Sequence, residues 1–199
     1  MREVYSGQGT ALRYDGPFQL LVATVLSAQC TDDQVNRVTP VLFGRFPDAR
    51  ALASAQPGEV EQIIHSTGFF RQKARSIQAI ARALDDRFNG RVPTSMEDLT
   101  SLPGVGRKTA NLVRGLAFGL PGLIVDTHFR RVANRLGLAA TLDPTKIEMA
   151  VADLLSAEQW TDFSNVLIWH GRRFCLARAP RCANCPALAD CPYGRAQIG

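Results

Sequence analysis

Apolar residues recur along the chain at three- and four-residue spacing, and no segment alternates strictly between apolar and polar positions. That pattern predicts an all-α protein. Phe18 to Gln29 (FQLLVATVLSAQ) is apolar almost all round, as a central helix buried on every side would be. Thr31-Asp32 caps the next helix, with Val35, Val38 and Leu42 facing inward and Pro40 expected to kink or break it. Val60, Ile63 and Ile64 mark a short helix after Pro57-Gly58. A longer one, from about Arg71 to Phe88, carries Ala74, Ile77, Ile80, Ala81 and Leu84 on one face and ends at Asn89-Gly90. Ser95 with Glu97-Asp98 caps a brief helix. Phe129, Val132, Ala133 and Leu136 form another stripe, stopped by Gly137. Asp143-Pro144 opens the next, with Ile147, Val151 and Leu154-Leu155, and the last runs from about Gln159 to Arg173.

The densest information lies between Leu102 and Asp126, LPGVGRKTANLVRGLAFGLPGLIVD. Gly104 and Gly106 flank one apolar residue, Val105, in a tight turn that feeds a helix from Arg107 to Phe118. The first amides of a helix lack partners and can hold an anion, and no strand precedes this turn. It therefore reads as the second half of a helix–hairpin–helix gripping a nucleic-acid phosphate. Lys108 lies in the first helical turn, where the macrodipole disfavours a protonated amine. Asp126 stands 18 positions later, at the head of VDTHFRRVANRL. Lys108 as nucleophile and Asp126 as its charged partner is one reading; a phosphate contact and a helix N-cap is the other.

Charge and cysteine content narrow the class. A formal charge of +5 and a pI near 9.2 fit a polyanionic partner. At 199 residues the chain can bury a real core as one domain or two small ones, and no apolar run reaches bilayer length. The N-terminus lacks a signal-peptide pattern, so a cytoplasmic setting is expected, at the nucleoid if the source is bacterial. Four of the five cysteines crowd together as Cys175-x6-Cys182-x2-Cys185-x5-Cys191. In a reducing compartment this points to a metal or cluster rather than disulfides. Zinc sites come as two close pairs and only the middle pair is close here, which favours a cluster while leaving zinc open. Arg178 and Arg181, inside the first interval, present charge to phosphates or simply to solvent. Cys30 reads as a small buried residue.

LPGVGRKTAN followed by VDTH, together with the six–two–five cysteine spacing, resembles the endonuclease III family of DNA glycosylases in the helix–hairpin–helix superfamily. The resemblance runs from Phe18 through Cys191. It implies two helical domains with a DNA-binding cleft between them. One is a six-helix barrel with the helix–hairpin–helix over residues 10–120; the other, residues 1–9 and 121–199, holds a [4Fe–4S] cluster on the four cysteines. It also implies excision of oxidised pyrimidines of the thymine glycol type from damaged double-stranded DNA by a monomer. Lys108 would form a Schiff base and nick the strand by β-elimination, with Asp126 beside it. Gln29 of Ser27-Ala28-Gln29 and Phe69 of Gly68-Phe69-Phe70 match the two wedge positions that fill the stack when a nucleotide is extruded. Ser27, Asp32 and His128 match positions near the extruded base, a structural hydrogen bond being the alternative for His128.

The sequence departs from the family at three places. Phe69 replaces the common leucine, Phe129-Arg130 follows VDTH, and only Met1 to Asp15 precede the first core helix. Adenine excision needs a carboxylic acid on that helix, and Phe18 to Gln29 has none. A thymine- or uracil-mismatch specificity stays open. A helix–hairpin–helix module that only grips DNA has no need of Lys108 with Asp126.

Overall fold

The structure, a computed structural model, describes residues 10–198, and among these there is no strand. They fall into two compact units, 10–118 and 119–198. Any packing of residues 1–9 on the second unit lies outside the described residues. Among the described residues no helix is long and apolar enough to cross a membrane.

The first unit is built from α1 (Pro17–Leu26), α2 (Asp32–Arg45), α3 (Ala49–Ala53), α4 (Pro57–Ile64), α5 (Phe70–Phe88), α6 (Met96–Thr100) and α7 (Arg107–Phe118). Its two apolar clusters share α1 and α5. Val22, Ala23 and Leu26 of α1 join Ala74, Ile77 and Ala81 of α5 in one cluster. Leu20 and Leu21 join Ile80, Leu84, Leu99 and Val113 in the other. A helix serving two clusters must be apolar all round, as the α1 sequence is.

Local chemistry sets the ends and corrects three expectations. α1 stops at Leu26, three residues before Gln29, because the chain turns through Ser27 into a left-handed Gln29 at φ 52°. α2 runs through Pro40 unbroken to Arg45. Pro40 is exposed, so the carbonyl deprived of its N–H partner lies where water can take it. α3, which the periodicity does not show, depends on Asp48, whose carboxylate accepts from the Ala51 amide at 2.8 Å.

The second unit contains α8 (Thr127–Arg135), α9 (Pro144–Ala152), α10 (Trp160–Arg173) and a short α11 (Pro192–Ile198) beyond the last expected helix. Phe129, Val132, Ile147, Val151 and Leu167 fill its core, with Leu123 and Val125 from the segment before α8. Phe129 is fully buried and meets Phe163 edge-on at 6.3 Å. Leu154 was expected in the α9 stripe; it lies past the helix end and is 61% exposed. Buried Ser164 accepts from the Ile124 amide and donates to the Trp160 carbonyl, both at 2.8 Å. It thereby anchors the run that delivers Asp126.

Candidate active site

The turn before α7 is held by its apolar residues. Leu102 and Val105 are buried among Leu99, Ala110 and Val113, and the Val105 amide donates to the Leu102 carbonyl at 3.1 Å. Val105 can therefore meet a ligand only through its backbone. Gly104 sits at φ 74°, a conformation L residues avoid. At Gly106 the backbone is not left-handed, and a Cβ there would meet nothing within 4 Å. Folding alone does not require that glycine; close approach of another molecule would. Lys108 follows, exposed in the first turn of α7.

In the second unit Asp126 is the N-cap of α8, its Oδ1 accepting from the Phe129 amide at 2.7 Å. The cap reading is correct, and it occupies one oxygen of a half-buried carboxylate. Asp126→Asn keeps the cap oxygen and discards the charge. It is expected to melt within a degree or two of wild type, whereas Asp126→Ala loses about 1 kcal/mol with the cap. If the charge serves catalysis, both variants lose activity alike; retained cleavage by Asp126→Asn in a gel assay makes Asp126 a cap only.

The other expected site residues are placed as follows. Ser27 turns its hydroxyl back to the Thr24 carbonyl at 2.8 Å. Asp32 is the half-buried first residue of α2, capped by Thr31. His128 Nδ1 accepts from Arg131 at 3.1 Å, which leaves the ring proton on Nε2. Gln29 and Phe69 are exposed and left-handed, at φ 52° and 48°. Phe69 is 65% exposed. Only four described non-glycine residues have positive φ, and these two are among them. Both side chains thus stand exposed on backbone that L residues rarely adopt.

The four cysteines line one cavity of about 360 Å³ including its open mouth. The Ala187 amide donates to Cys185 Sγ at 3.4 Å, the Gly194 amide to Cys191 Sγ at 3.2 Å, and Arg135 to Cys175 Sγ at 3.3 Å. Burial pushes the Cys185 thiol up, and the other three cysteines push the same way. Donors aimed at sulfur and thiols that disfavour one another's charge suit a cationic group at the centre. Yet among the described residues no three His, Cys, Asp or Glu gather closely enough to hold one metal ion. Cys30 is half-exposed rather than buried. Arg178 and Arg181 are exposed on the loop, which closes through the Arg181 amide on the Phe174 carbonyl at 3.0 Å.

Sequence reasoning missed the residues that brace this loop. Arg131 donates to the Cys175 and Gly171 carbonyls at 2.9 and 2.8 Å. Arg135 donates to Leu176 at 2.7 Å while lying over the Tyr193 ring. Their four-residue spacing on α8 was the available signal. Gly171 permits the contact: a Cβ there would stand 2.9 Å from that of His128.

A helical chain with this hairpin, lysine and cysteine loop has the parts of a DNA-repair glycosylase. The profile of the HhH-GPD superfamily base excision DNA repair proteins matches residues 22–157. Endonuclease III of Synechocystis sp. is 50% identical over 197 residues, 98% of this chain and 90% of that protein. Endonuclease III of Bacillus subtilis is 42% identical over 92% of this chain and 84% of its own. A solved structure of a trapped endonuclease III–DNA covalent intermediate superposes with a TM-score of 0.92 at 40% identity, covering 99% of this chain and 93% of that one. The chain belongs to the endonuclease III family, the bifunctional DNA N-glycosylases and AP lyases that act on oxidised pyrimidines in base excision repair.

Proposed function

We propose that Lys108 is the nucleophile with which this chain removes oxidised pyrimidines, thymine glycol among them, from damaged double-stranded DNA. The carrying observation is its placement: exposed, in the first helical turn, directly after a glycine turn that leaves its outward face clear. The covalent DNA intermediate trapped in a similar structure supports a nucleophile of this kind.

Lys108 Nζ bonds to the sugar C1′ as the glycosidic bond breaks, and the departing base takes up a proton. Loss of the amine protons and opening of the sugar ring give the imine. Removal of a C2′ proton then expels the 3′ phosphate, and water hydrolyses the imine to free Lys108. Asp126 supplies negative charge to the cationic states of this sequence. The backbone around Gly104, Val105 and Gly106 holds one phosphate, Arg178 and Arg181 hold others, and Gln29 and Phe69 fill the vacated stack.

Cys175, Cys182, Cys185 and Cys191 hold the [4Fe–4S] cluster, whose contribution is a structural cross-link. Four cysteines around one cavity, met by amide and guanidinium donors, suit a cationic group, and their six–two–five spacing resembles that of the family's cluster.

Borohydride trapping on duplexes carrying thymine glycol, uracil opposite guanine, or an abasic site tests the substrate. The thymine glycol duplex is expected to be trapped faster than the uracil duplex. Adduct on the abasic duplex alone would leave only the lyase step standing.

A further inference from the structure

Lys73, on α5, is 5% exposed, and among the described residues no carboxylate pairs with it. Its Nζ donates to the Thr67 carbonyl at 2.7 Å. Burial pulls the amine's pKa down, while Cys30, next to Gln29, lies near enough to push it up. A buried cation bonded to a loop carbonyl is costly in a region where leucine would pack.

The carbonyl it holds immediately precedes Gly68 and Phe69, at φ 68° and 48°. Other contacts grip the same loop. Thr67 Oγ1 donates to the Ile64 carbonyl at 2.8 Å, and Gln34 donates to Ser66 at 2.6 Å. The His65 and Phe70 rings lie 4.4 Å apart. Everything around Phe69 is tied down, and its own ring stands in solvent.

We propose that Lys73 is a positioning residue for base extrusion: its buried ammonium, through the Thr67 carbonyl, fixes the left-handed Gly68–Phe69 turn and so presents the Phe69 ring to the DNA stack. This rests on the reading of Phe69 as a wedge. The chemistry at Lys108 is untouched by it. A ring that must be rigidly presented works when the nucleotide leaves the stack, after the duplex is bound. A neutral side chain at 73 would let the turn relax toward ordinary backbone angles and the ring fold down.

The test is a double-mutant cycle of Lys73→Met and Phe69→Ala, read as single-turnover excision rate and KM on a thymine glycol duplex. Lys73→Met is expected to slow excision about tenfold with KM nearly unchanged, and to cost nothing further in the Phe69→Ala background. Should Lys73→Met fail to fold, Lys73→Gln takes its place with the same expectation, because its amide ends one atom short of the position from which Nζ reaches the Thr67 carbonyl. Losses that multiply across the two sites overturn the positioning role while leaving the wedge intact. If Phe69→Ala alone excises as fast as wild type, the wedge reading falls and this proposal with it.

Discussion

Lys108→Ala is expected to lower base release and strand cleavage by about a thousandfold or more, while duplex affinity changes less than about threefold. Two features separate the effects. Lys108 is exposed on the first turn of α7, so its truncation removes no core packing and opens no cavity. The turn that would hold the phosphate is anchored by Leu102 and Val105, whose burial does not involve Lys108. A covalent mechanism cannot proceed without its nucleophile, whereas phosphate contacts are spread over several residues. Parallel gel-shift and borohydride-trapping assays check both halves. Undiminished nicking by the variant sinks the assignment. Loss of binding equal to the loss of cleavage reduces Lys108 to a phosphate contact.

Helix periodicity carried most of the fold, because the clusters are filled from helices whose apolar stripes are continuous. α1, α5 and α8 were all legible in this way. The misses have local causes. α3 and α11, of five and seven residues, are too short for a period to repeat. α2 survives Pro40 because the proline faces solvent, a fact about tertiary placement. At the site, side-chain identity pointed to Lys108, Asp126 and the four cysteines, but strain was invisible: nothing in SAQ or GFF announces a left-handed Gln29 or Phe69. Lys73 was legible and overlooked. It stands four residues before Ile77 and eight before Ala81, in phase with the buried face of α5, where a basic residue is out of place. A charge in phase with a hydrophobic stripe is a stronger signal than the same charge on a basic surface.

The cysteine loop carries the second large effect. Purified protein is expected to be brown, with a broad absorption band near about 400 nm from thiolate-ligated iron, and Cys185→Ala to lose that band. The variant should also lose roughly 4 kcal/mol or more of stability, since residues 175–191 contain little else to order them. Their only regular structure is two three-residue turns, Cys182–Asn184 and Leu188–Asp190. Within that stretch only Ala187 and Cys191 are buried, and the other three cysteines are half-buried. Arg131 and Arg135 reach across from α8 to the carbonyls of 175–177, and the Arg181 amide closes on the Phe174 carbonyl. Those bonds fix the start of the loop and leave its far side to the sulfurs. Limited proteolysis of Cys185→Ala should therefore cut first between 175 and 191, exposing Arg178 and Arg181 to trypsin. A colourless wild-type protein with one zinc per chain would replace the cluster by a single ion. Resistance of that loop to trypsin in the variant would mean that the arginine bonds suffice and the cysteines are not its staple.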